Sequence, residues 1–212
     1  MDNPIDGFEI APATLKTIGM NLQRPECILA EPDGSLWSAD ARGGVMHIRP
    51  DGSQTLIAQN VASGFANTTD EASKFTSGTL PNGLAFARNG DILVSNFGTD
   101  RLELMTRTGE SEILHDTLNG RPIGKVNFVL RDRKDRVWIT VSTTISNWME
   151  ACSPNIIDGF IAVADEKGLR IVADSLHFTN EIRFDADEQW LYAVETCGMK
   201  ITRFRVCPDA TL

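Results

Sequence analysis

Residues 80–96 read L-P-N-G-L-A-F-A-R-N-G-D-I-L-V-S-N. A short apolar run is followed by an Arg-Asn-Gly-Asp turn and then by a second apolar run. Two brief runs around Gly, Asn and Asp are the mark of paired β-strands. Asn82 opens the first run, and Leu93 stands eleven residues further on in the second. Three other stretches repeat this spacing: Glu26 to Trp37 in D-G-S-L-W-S-A-D, Asn127 to Trp138 in K-D-R-V-W-I-T-V, and Asn180 to Leu191 in E-Q-W-L-Y-A-V-E. A polar oxygen-bearing residue therefore opens the first strand of each of four similar units.

The opening residues lie 56, 45 and 53 positions apart. Strand-like runs are expected at 27–31, 35–39, 44–49 and 54–58, then at 83–87, 91–95, 101–106 and 111–114. A third set falls at 127–131, 136–141, 159–164 and 169–173, and a fourth at 181–185, 190–194 and 200–206. Four antiparallel strands per unit at a period near 50 is the pattern of a β-propeller blade. The fold class expected is all-β, one partial propeller domain over 1–212 with repeats at about 20–59, 78–115, 122–174 and 176–207. Trp37, Phe86, Trp138, Phe184 and Trp190 are expected to pack between blades. The fourth unit has only three strands. Residues 8–18 could complete it and close a four-bladed ring, or these could be the first four blades of a larger one.

The formal net charge is −9 and no basic patch stands out, which argues against a nucleic-acid partner. The run R-D-R-K-D-R at 131–136 reads as a charged hairpin turn. No segment approaches the roughly 18–20 apolar residues of a membrane span, and the acidic N-terminus has no signal-peptide pattern, so a cytoplasmic protein is expected. Cys27, Cys152, Cys197 and Cys207 show no C-x-x-C spacing and read as buried free thiols. Two long interruptions, 60–81 and 142–158, are candidates for ligand contacts. Trp148 and Met149 in the second could face a ligand or anchor the loop, and anchoring is preferred.

In a propeller the innermost strand of each blade lines the axis, so Glu26, Asn82, Asn127 and Asn180 share a register at one mouth. One carboxylate and three carboxamides suit calcium better than zinc or magnesium. Structurally, each Asn is equally natural as a turn former. Asp40, Asn96 and Glu195, at the ends of second strands, are candidates for supporting or turn-capping groups.

The stretches R-P-E-C-I-L-A-E-P-D-G-S-L-W-S-A-D, L-P-N-G-L-A-F-A-R-N-G-D-I-L-V-S-N and F-T-N-E-I-R-F-D-A-D-E-Q-W-L-Y-A-V-E resemble the family of senescence marker protein, gluconolactonase and luciferin-regenerating enzyme. The resemblance covers about residues 20–206. It implies a six-bladed ring, of which about four blades are present, and a divalent-cation-dependent hydrolase of lactones or related esters. It implies Ca²⁺ or another divalent cation on Glu26, Asn127 and Asn180, with Asn82 and Asn127 toward the small-molecule lactone or ester. The family's catalytic Asp is expected on a later blade, beyond Leu212, so no catalytic residue is assigned here. Where the family usually has Asn-Gly, this chain has Asn180-Glu181. The alternative function is a non-catalytic propeller binding a small ligand or a protein through its loop face.

Overall fold

The computed structural model describes residues 6–59 and 79–212. Four antiparallel sheets follow one another along the chain, each meandering outward from an inner strand. Blade 1 holds β1 (Ile28–Ala30), β2 (Leu36–Asp40), β3 (Gly44–Ile48) and β4 (Gln54–Ala58). Blade 2 holds β5 (Pro81–Phe86), β6 (Ile92–Asn96), β7 (Arg101–Met105) and β8 (Ser111–His115). A small hairpin, β9 (Thr117–Leu118) and β10 (Arg121–Pro122), precedes blade 3. Blade 3 holds β11 (Val126–Arg131), β12 (Val137–Val141), β13 (Gly159–Asp165) and β14 (Gly168–Leu176). Blade 4 holds β15 (Thr179–Phe184), β16 (Trp190–Glu195) and β17 (Lys200–Arg205). The inner strands touch in the order β1, β5, β11, β15, so the molecule is a four-blade propeller arrangement.

The strands form where period-two apolar runs meet turn residues, and the blades associate because one sheet cannot bury both its faces. One apolar core runs through all four blades, with Trp37, Leu84, Ile92, Trp138, Ile161, Ile182 and Leu191 inside it. A second fills the seam between blades 2 and 3 around Leu93, Leu102, Val129, Ile139 and Phe160. The two buried tryptophans solve the indole N–H in the same way. Trp37 Nε1 donates to Glu31 at 2.6 Å, and Trp138 Nε1 donates to Asp132 at 2.9 Å, each acid lying six residues earlier. A buried N–H left without a partner would cost about 1–3 kcal/mol.

Phe86 and Phe184 pack against the main core, and Phe184 meets Trp138 edge-on at 5.5 Å between ring centres. Trp190 departs from the expectation of inter-blade packing. It sits with Arg203 at 4.1 Å and Arg205 at 5.2 Å from its ring centre, the cation–aromatic stacking that suits a half-exposed indole. The 131–136 run is a charged turn between β11 and β12, laced by Arg131–Asp135 at 2.7 Å and Arg136–Asp132 at 2.6 Å. Residues 8–18 do not complete blade 4. They carry only a 3-10 turn at Pro12–Thr14, and blade 4 keeps three strands. The chain continues from them onto blade 1, where Met20 N donates to Gln54 at 3.0 Å and Gln23 N to Asp40 at 3.2 Å.

Among the cysteines, only Cys27 is buried. Cys152 is exposed and Cys197 and Cys207 are half-buried, all as free thiols, so the expectation of four buried thiols holds at one position. The 60–81 interruption lies outside the described residues except at 79–81. No helix among the described residues is long and apolar enough to cross a membrane.

Candidate functional site

Each inner strand of blades 2, 3 and 4 carries a register irregularity at its opening polar residue. The breaks fall between Pro81 and Leu84, Val126 and Phe128, and Thr179 and Ile182. A bulge inserts one unpaired residue and re-aims its side chain. Asn82, Asn127 and Asn180 therefore sit where the ladder releases them, at one end of the axis. Glu26 lies in the loop just before β1.

The two middle residues are locked together. Asn82 and Asn127 are 3 % and 5 % exposed, which rules out a solvent-facing role for either side chain. Asn82 Nδ2 donates to the backbone oxygen of Asn127 at 2.8 Å and to its Oδ1 at 2.9 Å. Asn127 Nδ2 then donates to Ser142 Oγ at 2.9 Å, and Ser142 donates to the Thr179 carbonyl at 2.7 Å. Side chains thus link blades 2, 3 and 4 in one chain of hydrogen bonds. A hydroxyl on the second strand of blades 2 and 3 adds a parallel tie. Ser95 receives Gly83 N–H at 2.7 Å and donates to Asn127 O at 2.6 Å. Thr140 receives Phe128 N–H at 3.0 Å and donates to Asn180 O at 2.7 Å. These hydroxyls stand thirteen residues after Asn82 and Asn127; the same offset from Glu26 and Asn180 gives Ala39 and Ala193. Gly83 makes the contact possible, because a Cβ there would lie 2.7 Å from Phe128 Cα.

The outer two residues are open. Glu26 has 42 % of its side chain exposed and pairs with Arg24 at 3.2 Å. Burial pushes the Arg24 pKa down, an effect that Glu26 partly offsets. Asn180 is half-buried and donates from Nδ2 to Thr196 at 3.0 Å. Its neighbour Glu181 is ion-paired with Arg183, so the charge that replaces the family's glycine is balanced within the strand. Cys27, beside Glu26, donates to Leu84 O at 3.6 Å, and burial pushes its thiol pKa up.

Asp40, Asn96 and Glu195 fix the segments that lead into the inner strands. Asp40 accepts from Gln23 N at 3.2 Å, Asn96 Oδ1 from Leu80 N at 2.9 Å, and Glu195 from His177 N at 2.9 Å. Burial would raise the Asp40 and Glu195 pKa values. Hydrogen bonds from Arg42 and Gln23, and from Thr202 and His177, outweigh it and hold both carboxyls below their ordinary values. These are capping groups, as their positions in sequence allowed.

Trp148 anchors the 142–158 insertion. Its ring packs at 5.6 Å from Phe97 of blade 2 and 6.2 Å from Phe178 of blade 4, while Met149 is exposed. The insertion is thereby held over the end of the axis where the four register residues lie. The hydroxyls of Ser95, Thr140 and Ser142 were missed from sequence. The recurrence of Ser or Thr thirteen positions after an Asn was the available signal.

The donors at this end are oxygens, which fits a hard cation better than a thiophilic one. Asn82 Oδ1 is buried with no hydrogen-bond partner, an atom that a water or an ion would satisfy. Glu26 is exposed enough to exchange Arg24 for another cation. The donor chemistry suits a calcium-like ion, while among the described residues no group of three or more His, Cys, Asp or Glu side chains is placed to hold one.

The model of the SMP-30/gluconolactonase/LRE-like region matches residues 25–212. The chain belongs to this family. A structural-genomics protein described as a gluconolactonase superposes with a TM-score of 0.68 at 15 % identity, covering 90 % of this chain and 62 % of that one. The gluconolactonase of Xanthomonas campestris gives 0.64 at 20 % identity, covering 84 % and 56 %. A luciferin-regenerating enzyme gives 0.65 at 12 % identity, covering 88 % and 57 %. At these identities the likeness concerns the fold. The chain spans about three-fifths of the length of these structures. Comparison with the curated proteins returns no match.

Proposed function

We propose that this chain carries the cation- and ligand-binding face of a calcium-dependent hydrolase of lactones or related esters. The observation that carries this reading is the set of oxygen side chains at the head of all four inner strands, in a chain of the gluconolactonase-like family. Glu26, Asn180 and the Asn82–Asn127 pair would hold the cation. When bound, such an ion polarises an ester carbonyl and lowers the pKa of a nearby water. The chain's own residues supply position. The hydrogen-bonded line from Asn82 to Thr179 fixes the carboxamides before any ligand arrives, so little ordering entropy remains to be lost on binding. The aromatic group of Phe97, Trp148 and Phe178 holds the insertion near the mouth. The general base is not assigned to a residue of this chain.

Hydrolysis of a panel of sugar, aryl and aliphatic lactones, with calcium and with chelator, tests the reading. Calcium-dependent turnover above buffer supports it, and a chain that neither turns over any member nor binds calcium in a calorimetric titration removes it. One observation favours the second reading, a non-catalytic ligand- or protein-binding propeller: Glu26 is engaged by Arg24. That reading predicts that E26Q leaves ligand binding unchanged.

A further inference from the structure

Two thiols from separate parts of the sequence meet where the insertion rests on blade 4. Cys152 closes the short 3-10 turn Trp148–Ala151 within the 142–158 insertion, and Cys197 lies in the turn between β16 and β17. Both are free thiols; Cys152 is exposed and Cys197 half-buried. The Cys197 side chain packs on the apolar cluster of Leu80, Phe97, Ala151 and Phe178, which Trp148 and Ile156 of the insertion also join. It therefore shares one cluster with residues on both sides of Cys152. The Cys152 thiol and the backbone N–H of Ser153 are polar neighbours of the Cys197 sulfur, which sets the two sulfurs side by side. Closed turns present them. Cys152 N donates to Met149 O at 3.3 Å, and around Cys197, Thr196 N donates to Phe178 O at 3.2 Å and Met199 N to Thr196 O at 3.3 Å.

We infer that Cys152 and Cys197 form a reversible disulfide, made by exchange with a low-molecular-weight disulfide, that clamps the insertion to blade 4. Cys152, the exposed thiol, attacks one sulfur of the small disulfide as its thiolate and releases one small thiol. Cys197, as its thiolate, then attacks the Cys152 sulfur of the mixed disulfide, and the second small thiol leaves. The protons lost by the two cysteines end on the two released thiols. The protein is oxidised by two electrons and the small disulfide is reduced by two. Burial, and then the neighbouring Cys152, pushes the Cys197 thiol pKa up, which suits it to the second, enclosed attack. A bridge with one exposed sulfur is of the labile kind, reversed by excess small thiol. It adds a covalent tie where Trp148, set between Phe97 and Phe178, already holds the insertion. Its blade 4 end is the residue after Thr196, whose hydroxyl receives Asn180 Nδ2. Oxidation therefore stiffens the insertion near the mouth whether or not the chain hydrolyses a lactone.

The reduced full chain, incubated with oxidised glutathione, alkylated and mapped by peptide mass spectrometry, tests the pairing. The monomer is expected to lose two of its four thiols, to show one bridge between the peptides of Cys152 and Cys197, and to regain both thiols in dithiothreitol. C207S is expected to form the same bridge, and C197S to stop with glutathione held on Cys152. If the wild-type chain also stops at the mixed disulfide, or if the bridge maps to other cysteines or between two chains, the pairing is overturned. This mapping needs no variant, so a variant that fails to fold does not blunt it. Amide exchange tests the clamp: on oxidation, exchange over 142–158 is expected to slow about tenfold in the wild-type chain and to stay unchanged in C152S. Unchanged exchange in the bridged wild-type chain overturns the clamp.

Discussion

Asn82 and Asn127 share a register with Glu26 and Asn180, yet the two pairs live in different physical worlds. The middle pair, on blades 2 and 3, is buried and locked into side-chain hydrogen bonds that cross two blade seams. The outer pair, on blades 1 and 4, is open and keeps one short-range partner each, Arg24 and Thr196. One position in a repeat has thus become a seam tie in the middle and a free donor at the sides. The middle seam has the hydroxyls Ser95 and Thr140, where the outer blades have Ala39 and Ala193. The comparison predicts that loss of the seam ties around the middle pair acts chiefly on stability, and that the change at the open Glu26 acts chiefly on binding.

The largest effect is expected at Gly83. A Cβ there would lie 2.7 Å from Phe128 Cα and 2.8 Å from Val129 N, backbone atoms that cannot turn aside. G83A should cost about 3 kcal/mol in urea unfolding, at the upper end for overpacking. A loss below about 0.5 kcal/mol would show that the seam between β5 and β11 is looser than its hydrogen bonds imply. Next comes Ser142. S142A leaves Asn127 Nδ2 and the Thr179 carbonyl without their partner in a buried site, at about 2 kcal/mol. The matching change beside Asn180, T196A, removes a bond open to solvent and should cost less than about 0.5 kcal/mol. Equal losses for the two would break the comparison.

Acid should separate the same two regions. The segments leading into blades 1 and 4 are capped by carboxylates, Asp40 and Glu195, and the segment into blade 2 by the neutral Asn96. Both carboxyls titrate below their ordinary values of 3.8 and 4.5 in the folded protein. Their stabilisation is complete above those values and is lost as the pH falls through the lower, folded values. Amide exchange measured over that acid range should show residues 20–27 and 177–183 losing protection before 81–86 and 126–131. Simultaneous loss would mean that the caps do not govern the outer blades.

Most of the strand framework was legible because period-two apolar runs and Gly/Asp/Asn turns are local signals, as in 80–96. The small β9–β10 hairpin was missed because two-residue strands have no period. Its turn was nonetheless written as Asn119-Gly120, both with positive φ, the pairing that a tight hairpin turn favours. Trp190 misled because a large aromatic reads as core until the chain is folded, and here two arginines cover it. The shared register of the four polar residues was legible, but their division into buried and open pairs was not. That division depends on bulges and on hydroxyls from the second strands, which look like ordinary strand residues until the inner strands pack side by side.

The smallest effect on stability, and the sharpest test of the sides, is E26Q. The Arg24–Glu26 pair is partly exposed, and such pairs contribute about 0–1 kcal/mol, so the unfolding midpoint should barely move. Calcium affinity should nevertheless fall at least tenfold, because the carboxylate is the one charged donor at the register. That split, function lost with stability kept, is the opposite of what S142A should show. If E26Q left calcium affinity unchanged, Glu26 would belong to Arg24 alone. The register would then be a structural repeat with its ties in the middle, and the non-catalytic reading would take precedence.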